Sequence, residues 1–87
     1  MPFVYFLKLS NNNIYKGTTG DVKKRVSEHK NGKVKSTKNY WPLVLIGYEY
    51  YHLKTDAKRR EKFLKTSEGR KLLKRQYRDI INSKIKK

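Results

Sequence analysis

Two short β-prone runs, separated by a polar turn, constrain the fold of this chain more than any other feature. The first run is FVYFLKL over Phe3–Leu9, and the second is NIYKGT over Asn13–Thr18. The intervening Ser-Asn-Asn favours a turn, so the pair predicts an antiparallel hairpin. Because apolar residues occupy both faces of the first run, we expect that strand to be covered on both sides.

The length of the hairpin loop decides whether two tyrosines share a face of the sheet. Strand side chains alternate between faces, so a two-residue turn at positions 11–12 would put Tyr5 and Tyr15 on opposite faces. A three-residue loop pairs Leu7 with Tyr15 and Tyr5 with Gly17, and both tyrosines then lie on one face. Asparagine tolerates the left-handed conformation that such a loop needs. If the two tyrosines act together, the three-residue loop is the prediction.

The sequence after the hairpin predicts a helix, one further strand and two more helices. Asp21 is the expected N-cap of a first helix that Gly32 ends. The later elements are a basic loop at 33–41, a strand over Leu43–Tyr51, a helix from Thr55 or Asp56 to about Lys65, and a helix capped by Ser67 with an apolar face of Leu73, Tyr77, Ile80 and Ile81. Along the helices, Val22, Val26 and His29 form one stripe, and Ala57 and Leu64 point inward.

This order, ββαβαα, predicts an α+β fold in which helices flank a small three-stranded antiparallel sheet. We assign residues 1–82 to a single domain and residues 83–87 to a basic C-terminal tail. Eleven aromatic residues (seven Tyr, three Phe, one Trp) supply core to a chain that is otherwise rich in charge. The chain is therefore expected to fold rather than to be disordered.

The charge balance points to a polyanionic partner. Lysine and arginine number 23 against seven acidic residues, which gives a formal net charge of +16. These cations run along the whole chain, a distribution typical of nucleic-acid binding. No segment is a long amphipathic anchor or a transmembrane span, so we expect no membrane association. The absence of cysteine excludes disulfides, thiolate metal sites and a cysteine nucleophile, and the N-terminal run lacks the pattern of a signal peptide. The expected location is the cytoplasm.

The candidate catalytic residues occur in an ordered set of short motifs. Phe3-Val4-Tyr5 is followed by Tyr15-Lys16-Gly17, then by Arg25 and His29, and finally by Glu61 within RREKFLK. In this order and spacing the chain resembles a stand-alone GIY-YIG nuclease domain, similar to the nuclease module of excision-repair and homing endonucleases. The resemblance extends over about residues 3–75. Each residue taken singly also has a structural interpretation, such as a sheet aromatic or a helix ion pair.

The resemblance implies an endonuclease that depends on Mg²⁺ or Mn²⁺. Glu61 is the implied metal ligand, and a single carboxylate with waters and phosphate oxygens is a usual way to hold Mg²⁺. Arg25 can bind phosphate oxygens in bidentate fashion. Tyr5 or Tyr15 can take a proton from water if nearby cations lower its pKa, and which of them is the base is left open. His29 fits a second proton carrier or a phosphate ligand.

The chain departs from the family pattern at several positions. Phe3 stands in place of the usual Gly, and Lys16 in place of the usual Ile. Thr18 occupies a position where repair nucleases often carry Lys, which removes one cation. No Asn is available near residues 72–75, where some members carry one beside the metal site.

Nucleic-acid contacts are expected mainly from the basic loop. The residues of this loop that could hold a phosphate backbone are Lys33, Lys35, Ser36, Thr37 and Lys38. Tyr40 or Trp41 could stack on a flipped or single-stranded base, and the alternative for Trp41 is that it covers the core. The other candidate contacts are Lys16, Thr18 and Lys65. Without a recognition domain, binding should depend on phosphate and salt rather than on base sequence.

Three hypotheses follow from this evidence. The first is a metal-dependent DNA endonuclease, a monomer or weak dimer that nicks DNA, with branched, flapped or damaged DNA as candidate substrates and repair as a candidate role. The second is a non-catalytic DNA- or RNA-binding module, and the third is a small RNA-binding or ribosome-associated protein. A Glu61→Ala change separates them, because only the first requires that carboxylate.

Overall fold

The computed structural model of the protein describes residues 2–83, which form an α+β fold built on one antiparallel sheet. The strands are β1 (Phe3–Lys8), β2 (Ile14–Thr19) and β3 (Val44–Tyr50), and the helices are α1 (Val22–Lys30), α2 (Lys54–Leu64), α3 (Ser67–Gln76) and α4 (Arg78–Asn82). The strand order is β2-β1-β3, so the first strand is central, as its two apolar faces predict. The fold class predicted from the sequence is confirmed.

The predicted third helix is in fact two helices. The chain leaves helical geometry at Tyr77, which ends α3 and begins α4. There the Tyr77 ring packs 5.8 Å from that of Phe6, and its hydroxyl lies over Gly47, where no side chain stands in its way. The break lets Tyr77 and Ile81 both contact the core. The N-cap of α3 is Thr66, whose hydroxyl accepts from the Gly69 amide, so the expected cap at Ser67 was one residue late.

The sheet separates two apolar clusters. Val4, Phe6 and Ile14 point towards α2 and α3, where they meet Ala57, Leu64 and Leu73. Tyr5, Leu7, Leu9, Val26 and Leu43 form the second cluster on the face that α1 covers. The inward positions of Ala57 and Leu64 are confirmed, since neither is exposed.

Two expectations concern the C-terminal tail and membrane-spanning helices. Ser83 follows α4, and residues 84–87 of the expected basic tail lie outside the described residues. Within residues 2–83, no helix combines the length and the apolar character needed to cross a bilayer.

Candidate active site

The hairpin loop places both tyrosines on the face covered by α1. Leu7 pairs with Tyr15 and Tyr5 pairs with Gly17, which is the register of a three-residue loop. Asn12 in that loop has a φ of 69°, the left-handed conformation that asparagine tolerates. The prediction that Tyr5 and Tyr15 share a face is therefore confirmed, and their ring centroids are 6.2 Å apart.

Gly17 makes room for the hydroxyl of Tyr5. A Cβ atom at position 17 would lie 2.6 Å from that oxygen, closer than such atoms approach in proteins. The phenol of Tyr5 therefore crosses its neighbouring strand where only a glycine allows it, and its oxygen lies within hydrogen-bonding distance of α1.

Helix α1 presents His29 and Arg25 to Tyr5 from successive turns. Asp21 caps the helix by accepting from the Lys24 amide, as predicted, and residues four apart then lie on one face. His29 Nε2 is 2.8 Å from the Tyr5 oxygen, and Arg25 Nε donates to the same oxygen at 3.3 Å. Val26 and His29 are both buried, which confirms the expected stripe.

Arg25 and a buried threonine indicate the proton positions on His29. Arg25 Nε–H only donates to the Tyr5 oxygen, so the Tyr5 hydroxyl is the hydrogen-bond donor to Nε2 of His29. Nδ1 then carries the imidazole proton and donates to Thr37 Oγ1, 2.7 Å away, and the Thr37 hydroxyl faces the Val34 carbonyl at 3.5 Å. The resulting chain runs from Arg25 through Tyr5 and His29 to Thr37, and each buried polar atom in it has a partner.

Burial keeps both Tyr5 and His29 neutral at physiological pH. Burial raises the pKa of Tyr5 to about 12, although the Arg25 guanidinium opposes the shift. Burial, assisted by Arg25, lowers the pKa of His29 from 6.5 to about 4. Hydrogen bonds to Tyr5 and Glu28 raise the pKa of Arg25, which stays charged. Arg25 is thus the one cation of this chain of hydrogen bonds, with a neutral proton donor and a neutral proton acceptor behind it.

Arg25 opens onto a cleft where an anion can enter. Its side chain is 37% exposed and forms a 3.0 Å ion pair with Glu28. A cleft of about 420 Å³ lies in front of it, lined by Thr18, Thr19, Gly20, Asp21, Lys24, Arg25 and Glu28. The partly exposed guanidinium can therefore meet a phosphate while its Nε still holds Tyr5.

Glu61 lies on α2, the helix that packs on the sheet face opposite to α1. Its carboxylate contacts Lys65 at 2.8 Å and Lys58 at 3.8 Å, and the Glu61 side chain is 15% exposed. Among the described residues, none of its hydrogen bonds or ion pairs joins it to the Tyr5 cluster. The structure thus brings together Tyr5, Tyr15, Arg25 and His29, and leaves the role of Glu61 as a metal ligand a prediction.

The basic loop contributes differently from the sequence-based expectation. Thr37 is fully buried beside His29, so the suggestion that it holds a phosphate backbone was wrong. Lys33, Lys35 and Lys38 are exposed, and Trp41 is 60% exposed, which excludes a role as a core cover. Because Thr37 binds His29, the loop that carries these exposed side chains is attached directly to the tyrosine cluster.

Two residues of the cluster went unrecognised in the sequence. Glu28 lies three positions after Arg25, a spacing that permits a helix ion pair and could have indicated it. Thr37 follows His29 by eight positions in an irregular loop, and no local pattern indicates their contact.

Comparison with known proteins matches this arrangement to a family. The sequence model described as the GIY-YIG catalytic domain matches residues 1–77. The chain belongs to the GIY-YIG family. The GIY-YIG domain points to a nuclease family whose domains act on DNA. In this chain β1 and β2 place Tyr5 and Tyr15 on one face of that domain.

Small bacterial GIY-YIG relatives resemble the chain over most of its length. A UPF0213 protein of Clostridium perfringens is 34% identical over 85 residues, which cover 97% of this chain and 86% of the relative. A UPF0213 protein of Staphylococcus haemolyticus is 38% identical over 83% of this chain and 89% of its own length. One from Staphylococcus epidermidis is 42% identical over 74% and 79%, respectively. Their names state no activity, and no solved structure is significantly similar to this chain.

Proposed function

We propose that this protein is a divalent-metal-dependent endonuclease that hydrolyses phosphodiester bonds in DNA. The observation that carries the proposal is the hydrogen-bonded chain from Arg25 through Tyr5 to His29, on the face shared with Tyr15, in a GIY-YIG catalytic domain. A net charge of +16 supplies attraction for the substrate.

The cluster offers the groups that hydrolysis of a phosphodiester needs. Water adds to phosphorus and loses a proton to the cluster, the P–O bond to the leaving oxygen breaks, and that oxygen takes a proton from solvent water. Arg25 binds the phosphate at the cleft and stabilises its growing charge. Tyr5 can accept a proton as its own passes to Nε2 of His29, because that nitrogen is neutral and faces it at 2.8 Å. A phosphate at Arg25 adds negative charge nearby, which lowers the free-energy cost of protonating His29.

The tyrosines differ in their access to solvent. Tyr5 is 1% exposed and its oxygen already has two partners, whereas Tyr15 is half-buried. We therefore assign the contact with the attacking water to Tyr15. In this assignment Tyr15 accepts the proton of the water as its own passes to Tyr5, and Tyr5 passes its own proton to Nε2 of His29.

Glu61 is the residue of this chain that fits a divalent cation. Its two lysine partners are 59% and 56% exposed, and exposed ion pairs are weak enough to exchange for a metal. Within residues 2–83 no cluster of three or more His, Cys, Asp or Glu could hold a metal by itself. This donor set suits Mg²⁺, which retains waters and binds through one or two carboxylates with substrate phosphates. Mg²⁺ or Mn²⁺ bound there would supply positive charge that stabilises the transition state.

One observation favours an alternative, a non-catalytic module that binds DNA or RNA. The Glu61 carboxylate is already neutralised by Lys58 and Lys65, an arrangement that a purely structural ion pair would also show. The alternative keeps the basic surface and needs no metal.

Plasmid nicking separates the two functions. Wild type, Glu61→Ala and the control Glu68→Ala are compared at low salt with and without Mg²⁺ or Mn²⁺. Glu68 is an exposed carboxylate on α3, so its loss changes the net charge equally. The nuclease predicts metal-dependent nicking that Glu61→Ala abolishes and Glu68→Ala retains, with DNA binding unchanged or tighter in both.

Binding without cleavage by any of the three proteins, on plasmid and on branched, flapped, damaged and RNA substrates, would contradict the nuclease and favour the binding module. A monomer with one site is expected to nick rather than to cut both strands. We further propose that the protein acts on branched, flapped or damaged DNA during DNA repair in the cytoplasm.

A further inference from the structure

A basic cleft lies on the face of strand β2 opposite to that of the tyrosines. It has a volume of about 250 Å³ and is lined by Asn13, Ile14, Lys16, Arg70, Leu73 and Lys74. Arg70 and Lys74 are four residues apart on α3, so their side chains project together over the cleft. Lys16 enters from β2, where its ammonium donates to the Ile14 carbonyl at 3.2 Å.

The cations of this cleft lack a counter-charge. No acidic residue lines it, and within residues 2–83 neither Arg70 nor Lys74 forms an ion pair. Burial lowers the pKa of Lys16, and Arg70, Lys65 and Lys74 lower it further. Glu61, the carboxylate next to Lys65, is already engaged by two lysines. Like charges held together at a half-buried position cost free energy, which a bound anion would offset.

The position of the cleft suggests which anion it binds. β2 is an edge strand, so its outer side is open to a partner. Tyr15 and Lys16 are neighbours on β2 and point to opposite faces. A nucleic-acid backbone that lies along this edge therefore meets the Arg25 cleft on one side and the Lys16 cleft on the other.

We propose that Lys16, Arg70 and Lys74 hold a backbone phosphate of the nucleic acid whose scissile phosphate is bound at Arg25. This proposal rests on the proposed function and adds a second contact to it. The guanidinium of Arg70 supplies planar donors for phosphate oxygens, and the two lysines supply point charges. The cleft reads no base, so it positions the strand without selecting a sequence.

The salt dependence of DNA binding tests this contact. A fluorescently labelled DNA duplex is titrated by fluorescence anisotropy without divalent metal, over a series of salt concentrations. The test variant is Arg70→Gln/Lys74→Gln, and the matched control is Lys71→Gln/Arg75→Gln. Both pairs are exposed on α3 and remove one lysine and one arginine, so the net charge falls equally. A single Lys16→Gln variant tests the third cation of the cleft.

The proposal predicts that the slope of log K against log salt becomes shallower by about 1 in the test variant, as expected for the loss of one phosphate contact. The control should keep the wild-type slope. Equal changes in both double variants, or no change in either, would overturn the proposal, because the cations would then act only through net charge.

Cleavage assays on the same proteins keep this result separate from the nuclease itself. Wild type that binds with the predicted slope difference but never cleaves would support the phosphate contact and contradict the nuclease. If wild type cleaves but the two double variants have identical slopes, the nuclease is supported and the phosphate contact is contradicted.

Discussion

Two hydrogen bonds and a close approach to the backbone of Gly17 hold Tyr5 in place. Its oxygen receives the Arg25 Nε–H and donates to His29, and the absence of a side chain at Gly17 leaves room for it. Tyr15 contacts the same histidine through its ring, with centroids 5.0 Å apart, and remains half-buried. The two tyrosines should therefore respond differently to loss of the hydroxyl.

Tyr5→Phe should reduce both stability and cleavage. It leaves the buried Nε2 of His29 without its donor, at a cost of about 1–3 kcal/mol. If Tyr5 relays a proton, nicking should fall by about 10²–10⁴-fold. Tyr15→Phe should lower the nicking rate with little change in the free energy of unfolding. Urea unfolding and nicking rates measure both effects, and a Tyr5→Phe protein that cuts at the wild-type rate would contradict the relay.

Burial of His29 should make stability depend on pH. Its pKa is lowered from 6.5 to about 4 in the folded protein. Between these values the unfolded chain binds the proton and the folded protein does not. The stability from the neutral imidazole is therefore complete above pH 6.5 and is lost as the pH falls to about 4. The loss should amount to about 3 kcal/mol at most.

Urea unfolding of wild type and His29→Gln at several pH values isolates this effect from the titration of carboxylates. The variant should lose less stability than wild type over this range. His52→Gln, which removes an exposed histidine, should behave like wild type. Equal pH dependence in wild type and His29→Gln would mean that the imidazole is not buried in its neutral form.

At the scale of elements, the hairpin loop is what aligns the two signature tyrosines. The loop is closed by hydrogen bonds from the Leu9 amide to the Asn13 carbonyl and from the Asn12 amide to the Leu9 carbonyl. Only one of its residues, Asn12, needs a positive φ. The loop is therefore sensitive to substitution at a single position.

Asn12→Val should destabilise the protein by about 1–2 kcal/mol, because a β-branched residue is poorly tolerated in the left-handed region. Asn12→Gly should be neutral or slightly stabilising, because glycine adopts this φ freely. Thermal unfolding measures the difference. If the valine variant melts with wild type, the loop must have another conformation, and the shared face of the tyrosines would lose its support.

At the scale of the whole molecule, the excess of cations governs how the protein meets nucleic acid. The exposed lysines of the 33–41 loop, the Arg25 cleft and the Lys16 cleft lie on different elements. A polyanion can engage several of these surfaces, and each phosphate that it brings releases counterions.

DNA binding should therefore weaken steeply and linearly on a plot of log K against log salt. Duplexes of unrelated sequence should bind with similar affinity, since phosphate contacts carry no sequence information. Fluorescence anisotropy over a salt series with two unrelated duplexes measures both properties. Strong preference for one duplex, or affinity that persists at high salt, would show base recognition that these surfaces do not explain.

Local sequence determined much of this protein. The hairpin and the Asp21 cap follow from turn chemistry and helix capping, and the three-residue loop follows from strand alternation once Tyr5 and Tyr15 are taken to act together. These act over a few neighbouring residues, so a single sequence displays them. The order and spacing of Tyr5, Tyr15, Arg25, His29 and Glu61 likewise indicate the GIY-YIG family without any geometry.

Tertiary packing decided the rest. The contact of Thr37 with His29 and the convergence of Lys16 with Arg70 join residues from separate elements. The packing of α2 on the sheet face opposite to α1 decides where Glu61 lies. The break between α3 and α4 at Tyr77 also depends on the contact of the Tyr77 ring with Phe6 of β1. Such contacts depend on how the helices pack on the two faces of the sheet. No local pattern of residues encodes them, so only the tertiary structure shows them.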